Sequence, residues 1–314
     1  GQDLGVEPFR WTQRKAMSRE SRGSLGRGAL VALLFAVTGP ALAEDGTGTV
    51  QCYNEALGTV QETLAGDCKG RVVGEDQANE IRKNRRDYVQ RVLTEPSNNK
   101  LEGRHLAGLG SGFFVAEDGS VVTSHHVVDG CAAVSIAPTF GEMILASAVV
   151  SDMENDLALL RSGVVPPAVA PLADPDDVNF LGSGFVVGYP NRGLVAVQPI
   201  LSAVEILQQE SQTPLGPGIV IRGDVRQGNS GGPLLDSGGS VVGIVFSKVN
   251  SVNVYKVTGE LVRYIGFAVP TKIIARFLAA NDVAYRAGER RPPQPEDRIL
   301  NDARPYIAQI GCWN

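Results

Sequence analysis

The apolar residues of this chain fall into short, evenly spaced runs. They recur as Ser111–Val115, Ser120–Ser124, Ala132–Ile136, Ile144–Ser151, Leu157–Arg161, Gly184–Val187, Val195–Leu207, Gly218–Arg222, Gly232–Leu235, Val241–Lys248 and Gly266–Pro270. Most are rich in Val, Ile and Leu and long enough for a strand but not for a helix. Turn chemistry separates them, at Glu117-Asp118-Gly119, Pro190-Asn191, Pro214-Leu215-Gly216-Pro217 and Ser237-Gly238-Gly239. Short strands in quick succession, without long helices between them, predict an all-β sandwich or barrels. A Pro-rich crossing from Val164 to Pro175 divides the strands into a first set (about 104–163) and a second (about 178–280).

Helical periodicity appears in two places. Ala78, Ile81, Tyr88, Val89, Val92 and Leu93 share a face, with Asp76 as the expected cap and Pro96 as the stop. The opposite face carries Arg82, Lys83, Arg85, Arg86 and Arg91. It reads as the solvated face of a helix packed on the rest of the chain, with a docking or membrane-surface helix as the sharper alternative. The second helix, Thr271 to Ala280, closes the strand-rich region. Residues 44–75 are polar and Gly-rich and read as irregular, apart from a possible helix between two cysteines. Ser97-Asn98-Asn99-Lys100 reads as a linker, and the tail from Arg286 is charged and Pro-rich through Pro295, then briefly apolar.

The N-terminal run has a different meaning. Met17, Arg19, Arg22 and Arg27 precede nine apolar residues, Ala29 to Val37, and then Ala41-Leu42-Ala43. A basic start, a short apolar run and an Ala-x-Ala site predict a secretory signal peptide cleaved before Glu44. Nine apolar residues are far fewer than the ~20 that span a bilayer. The expected organisation is therefore an upstream or mis-started segment (1–16), a signal peptide (17–43), an N-terminal extension (44–100), a catalytic domain (101–282) and a tail (283–314). Export to the periplasm or exterior makes disulfides plausible for Cys52, Cys68, Cys131 and Cys312. Of the three pairings, Cys52 with Cys68 and Cys131 with Cys312 is favoured, because the first two lie close in a weak segment. No CxxC or Cys/His cluster suggests a metal, and no cofactor is expected. The 314 residues carry a net charge of −5, so nothing global points to nucleic acid.

The candidate chemistry centres on Gly228-Asn229-Ser230-Gly231-Gly232-Pro233-Leu234. Three glycines around one hydroxyl let the backbone approach a ligand and aim N–H groups at one spot, as an acyl-transfer nucleophile requires. Earlier come Thr123-Ser124-His125-His126-Val127-Val128 and Glu154-Asn155-Asp156-Leu157-Ala158-Leu159-Leu160. The order His, Asp, Ser, at separations of 30 residues from His126 to Asp156 and 74 from Asp156 to Ser230, is that of a triad. With Gly110-Ser111-Gly112-Phe113, Gly188-Tyr189-Pro190 and Ile265-Gly266-Phe267-Ala268-Val269-Pro270, these motifs cover roughly 104–280. The chain resembles chymotrypsin-fold serine proteases, and among them the bacterial HtrA/Deg-like branch.

That resemblance implies two six-stranded antiparallel β-barrels, preceded here by the N-terminal helical extension, with the active site between the barrels. It implies Ser230 as nucleophile, His126 as general base and Asp156 as its orienting carboxylate. It favours His126 over His125, because the catalytic imidazole directly precedes Val127-Val128. The Gly228 and Ser230 N–H groups would form the oxyanion hole. Asn229 stands where trypsins carry an Asp that pairs with a new N-terminal ammonium, so that mode of activation is not expected. Lys248 to Arg263 is the candidate loop for assembling the site instead. Asp224, Val245, Phe246 and Gly266 are candidates for the S1 pocket. A carboxylate at Asp224 would favour Arg or Lys at the cleaved position, unless Arg226 or Arg222 neutralises it. The roughly 30 residues after the closing helix are too few for a PDZ domain, a departure from many HtrA-type proteins. The implied function is an exported serine endopeptidase acting on proteins or peptides, without stable membrane insertion after signal cleavage. The alternative is a low-activity or inactive binding or stress-sensing protein on the same fold.

Overall fold

The computed structural model describes residues 48–90, 99–176, 181–191, 193–213, 216–248 and 264–314. The signal-peptide region, the end of the first amphipathic pattern at Val92, Leu93 and Pro96, the Pro214-Leu215 turn and residues 249–263 lie outside them.

In place of the expected irregular segment, the chain opens with a three-stranded sheet of β1 (Thr49–Asn54), β2 (Thr59–Leu64) and β3 (Arg71–Val73), ordered β2-β1-β3. The alternation Thr-Val-Gln-Cys-Tyr-Asn has a strand period, but its faces are only half-buried, so its apolar signal is weak. Between Cys52 and Cys68 lie the strand β2 and a short 3-10 turn, Ala65–Asp67, rather than an α-helix. Helix α1 follows, Glu75–Val89. Its N-cap is Gly74, with no side-chain cap, so Asp76 sits in the first turn, where its charge suits the helix dipole. The basic face is divided. Lys83 and Arg86 are exposed, while Arg85 donates to the carbonyls of Leu57 and Val195, and Arg82 donates to Gln51 at 2.8 Å.

The first large sheet contains β4 (Leu106–Phe114), β5 (Ser120–Ser124), β6 (Ala133–Pro138), β7 (Ile144–Leu145), β8 (Ala148–Asp152) and β9 (Leu157–Arg161). A four-residue helix, α2 (His125–Val128), follows β5 directly. The sheet curls because one run of chain serves both of its edges. β7 pairs with β6, β8 pairs with β9, and only Ala146 and Ser147 intervene, donating to the carbonyls of Val134 and Arg161. The second sheet is a closed six-stranded barrel of β10 (Gly182–Gly188), β11 (Ile200–Thr213), β12 (Gly216–Gly223), β13 (Pro233–Asp236), β14 (Val241–Lys248) and β15 (Ile265–Pro270). Val186, Ile206, Ile219, Ile221, Leu234 and Val242 fill its interior. Helix α3 (Thr271–Ala280) closes it, as its periodicity predicts, burying Ile274, Phe277 and Leu278.

The tail is not peripheral. Helix α4 (Glu296–Ala303) leads into β16 (Ile307–Trp313), a strand buried along its whole length. It runs antiparallel between β4 and β6, in the sheet order β7-β6-β16-β4-β5-β9-β8. The seventh strand of this barrel-like sheet thus comes from residues 307–313, far from the others in sequence. The Trp313 indole donates to Ser135 at 2.8 Å, and Cys312 is bonded to Cys131, just beyond α2. Cys52 and Cys68 form the other disulfide, so the favoured pairing holds.

The two bridges close loops of very different length, with sequence separations of 16 and 181. In the chain-entropy picture the first is worth about 3 kcal/mol and the second about 5 kcal/mol. We expect Cys131→Ser/Cys312→Ser to lower the urea-derived unfolding free energy more than Cys52→Ser/Cys68→Ser. An equal or smaller loss would mean that β16 holds its place by packing alone.

Candidate active site

Each chemistry-bearing side chain is set by the backbone around it. β5 ends at Ser124, and the chain turns at once into α2, which presents His125 and His126 at the sheet end. Asp156 sits just before β9, with φ of 52°. This left-handed geometry is uncommon outside glycine but tolerated by Asp, whose short side chain bonds locally. It folds the residue back over α2. The Asp156 carbonyl accepts from His125 N–H at 3.0 Å, and its Oδ1 accepts from His126 N–H at 2.8 Å. Oδ2 lies 2.7 Å from His126 Nδ1. An ionised carboxylate there puts the ring proton on Nδ1 and leaves Nε2 free to accept another. The Asp156 side chain is 10% exposed and the imidazole 48% exposed, so the base faces solvent while its partner does not.

His125 has a different environment. Its Nε2 lies 3.7 Å from Asp129, and its Nδ1 is buried without a hydrogen-bond partner. Asp156 therefore meets the ring of His126, not that of His125. Exposed His105 pairs through its backbone with Asn314.

Ser230 lies on a loop held against both halves of the molecule. Its carbonyl accepts from Ser111 N–H on β4 at 2.9 Å, and the next N–H, of Gly231, donates to Val245 on β14 at 2.7 Å. Gly231 has φ of +82°, and a Cβ there would run into the Ser111 carbonyl, Thr123 Oγ1 and Ser124 N. Only glycine permits that approach, which brings the loop against the strand end that carries the histidines. Gly228 has φ of +94°, and its missing Cβ would strike the Tyr189 carbonyl. The N–H groups of Gly228 and Ser230 make no hydrogen bond among the described residues. Burial pushes the Tyr189 phenol well above its ordinary pKa, so it stays neutral, within 3.1 Å of the Thr139 hydroxyl.

The other predicted residues are scattered in environment. Asp224 is 40% exposed and receives two hydrogen bonds from Arg226 Nε, at 2.8 and 2.9 Å. This bonding holds the Arg226 guanidinium above its usual pKa. Arg222 pairs instead with Glu205 at 3.1 Å. Val245, Phe246 and Gly266 are buried in the second barrel, and Phe246 stacks on Phe267 at 6.0 Å. The candidate loop Lys248 to Arg263 falls almost wholly outside the described residues. A cavity of about 260 Å³ adjoins Gly228, lined by Leu106, Gly108, Leu109, Gln227 and Gln309. A larger one, of about 550 Å³, is lined by Asn155, Pro175, Ile219, Lys272 and Phe277 and includes none of the three triad candidates. Among the described residues no group of three or more His, Cys, Asp or Glu could hold a metal ion. The polar contacts of Ser111 and the lining role of Gln309 carry no signal in the composition. In the sequence Ser111 stands out only within Gly110-Ser111-Gly112-Phe113.

The chain is similar to known proteins. Residues 110–244 match the family model of the trypsin-like peptidase domain. The uncharacterized protein y4bJ of Sinorhizobium fredii is 30% identical over 65% of this chain and 32% of its own length. Serine protease Do-like HtrA of Lactococcus lactis is 30% identical over 58% of this chain and 47% of its own. Serine endoprotease DegS of Haemophilus influenzae is 29% identical over 63% and 55%, respectively. The chain thus spans between about a third and a little over half of the length of these relatives. Among solved structures, an HtrA-type protease, AlgW with a decapeptide, shares 25% identity over 55% of this chain and 50% of that one, with a TM-score of 0.47. The resemblance to chymotrypsin-fold, HtrA-like proteases holds.

Asn229 offers a direct test of how the loop is stabilised. It is fully buried, and among the described residues neither its Oδ1 nor its Nδ2 has a hydrogen-bond partner. A carboxylate in its place would be buried with no cation to meet it, which raises its folded pKa above the unfolded value. Asn229→Asp should therefore lose about 1–3 kcal/mol at pH 7 relative to the parent. The deficit should shrink as pH falls from the raised folded pKa toward the unfolded carboxylate pKa of about 4, and be gone below it, where both states are protonated. Paired thermal melts at pH 7 and pH 4 check this, and an unchanged melting temperature at pH 7 would show that a counter-charge reaches the site.

Proposed function

We propose that this protein is an exported serine endopeptidase working through His126, Asp156 and Ser230. The observation that carries the reading is the double hold of Asp156 on His126, through the ring and through the backbone N–H, beside a glycine-bracketed serine loop. In this reading His126 Nε2 takes the Ser230 hydroxyl proton as Oγ attacks the scissile carbonyl. Asp156 keeps the imidazole in the required tautomer and stabilises the imidazolium. The free N–H groups of Gly228 and Ser230 receive the oxyanion, a contribution worth ~100- to 1,000-fold per donor. His126 then protonates the leaving amine, and water resolves the acyl-enzyme by the reverse route. The cavity beside Gly228 gives the leaving segment a place to lie. Substrates are proteins or peptides. Export rests on the leader pattern of residues 17–43. Among the described residues no helix is long and apolar enough to cross a membrane.

Incubation with a fluorophosphonate should label the parent protein and leave Ser230→Ala unlabelled. On a peptide substrate, Ser230→Ala, His126→Ala and Asp156→Asn should each lower kcat/KM by about 10⁴-fold or more, because the three act as a unit. Full labelling of Ser230→Ala would remove the nucleophile assignment. A parent that folds but neither labels nor cleaves would favour the alternative of a binding protein on this fold.

Specificity follows from the state of Asp224. An exposed carboxylate already paired with Arg226 has little attraction left for a substrate cation, and the remaining candidates, Val245, Phe246 and Gly266, are apolar. We expect a peptide-library digest to show cleavage after small aliphatic residues, unchanged in Asp224→Ser. Cleavage after Arg or Lys that disappears in Asp224→Ser would reverse this assignment.

A further inference from the structure

Building on the proteolytic reading, we propose that Ser111 is the positioning residue of the oxyanion-binding loop. A trans peptide is planar, so its N–H points away from its own carbonyl, and fixing one end fixes the other. Four consecutive peptides between Gln227 and Gly231 are fixed in this way. The Gln227 carbonyl accepts from Asn191 N–H at 2.7 Å, which turns the Gly228 N–H outward. The Asn229 carbonyl accepts from Gly232 N–H at 2.8 Å, which turns the Ser230 N–H outward. Between these two donor peptides lies the Gly228–Asn229 peptide. Its carbonyl accepts from the Ser111 hydroxyl at 2.7 Å, and its N–H donates to Arg226 at 3.0 Å. The fourth, Ser230–Gly231, is held by Ser111 N–H on one side and by Val245 on the other. One residue of β4 therefore holds two of the four peptides, one through its side chain and one through its backbone.

The environment makes the hydroxyl hard to replace. Ser111 is fully buried, and its Oγ also accepts from Tyr189 N–H at 2.9 Å. Its own carbonyl accepts from the Thr123 hydroxyl at 2.6 Å. Removing the hydroxyl leaves the Gly228 carbonyl and the Tyr189 N–H without their partner. The Gly228–Asn229 peptide then keeps only the Asn229 N–H bond to the Arg226 carbonyl, and glycine at 228 imposes no Cβ barrier to rotation about that contact. Rotation there tilts both flanking N–H groups away from the point where they converge. The loss falls on the transition state, whose oxyanion needs both donors, and not on ground-state binding of the peptide.

The test compares Ser111→Ala with Ser135→Ala, which loses a buried hydrogen bond to Trp313 in the same sheet but touches nothing in the site. The rate of labelling by a fluorophosphonate reads the oxyanion hole directly, and thermal melts of the same samples read stability. At a temperature where both variants are folded, Ser111→Ala should label at least tenfold more slowly than the parent. Its kcat on a peptide substrate should fall to match, with KM within about twofold. Ser135→Ala should melt earlier yet label at the parental rate. Where Ser111→Ala does not fold, Ser111→Cys keeps the volume with a weaker donor and should label more than threefold more slowly. Labelling of Ser111→Ala within twofold of the parent, or equal slowing in Ser135→Ala, would overturn the assignment. Failure of the parent to label would take down the proteolytic reading itself, and this inference with it.

Discussion

A loop made largely of glycine cannot hold its own shape. Between Gln227 and Gly232 the chain carries three glycines, two of them at positive φ, and glycine has more backbone freedom to lose than any other residue. The conformation of this loop is therefore imposed from outside, by Ser111 on β4, Asn191 beyond β10 and Val245 on β14. Two of these belong to the second barrel and its loops, and the third to the first sheet. The site is a consequence of how the two sheets meet. Phe113, Phe114, Leu159, Leu235, Ile244 and Ile274 share one buried cluster that spans both, and this packing fixes the distance across which the loop is held.

The placement of β4 in turn depends on the far end of the chain. β16 lies beside β4 along nearly its whole length, with Gln309 opposite Ser111. Without β16, β4 and β6 would each present an unpaired edge, and their buried N–H and C=O groups would lack partners. The same strand is tied by Cys312 to Cys131, three residues after α2, so the segment that carries His126 and the strand that supports Ser111 share one covalent anchor. Closing a loop of this length is entropically costly, but the cost grows only logarithmically with length, and the seven fully buried residues of β16 offset it.

What the sequence made legible was what local chemistry determines. Leu157–Arg161, Val241–Lys248 and Thr271–Ala280 coincide with their predicted bounds, because each is a dense apolar pattern of one period. The motif order named His126 and Asp156, whose side chains the fold brings together, and the possibility that Arg226 occupies Asp224 was readable from their proximity. Long-range partners were not legible. Ile307–Trp313 contains Gln309 and Gly311 and gives no strand signal by itself, and its partners lie some 170–200 residues earlier. The strands of residues 49–73 are half-polar, because a small three-stranded sheet buries little, so the pattern reads as irregular. Its place directly before Val127-Val128 singled out His126 of the two adjacent histidines, while the left-handed backbone at residue 156 that brings Asp156 to it carries no sequence signal.

Asp156 and Asn229 show two ways of placing a polar group in this interior. Asp156 is placed by bonds to one short helix: its carboxylate meets the His126 N–H and ring nitrogen, and its carbonyl accepts from the His125 N–H. The strain of its positive φ is tolerated because that turn brings carboxylate and carbonyl to the same short helix. Asn229, immediately before Ser230, is buried more deeply and carries no charge. Its side chain makes no bond, while its backbone N–H and C=O both hold the loop. A neutral amide can sit unpaired at a cost of about 1–3 kcal/mol, but a carboxylate there would need a cation delivered from elsewhere in the chain. The loop around Ser230 is thus shaped by backbone hydrogen bonds and one serine hydroxyl, with no ion pair among its supports.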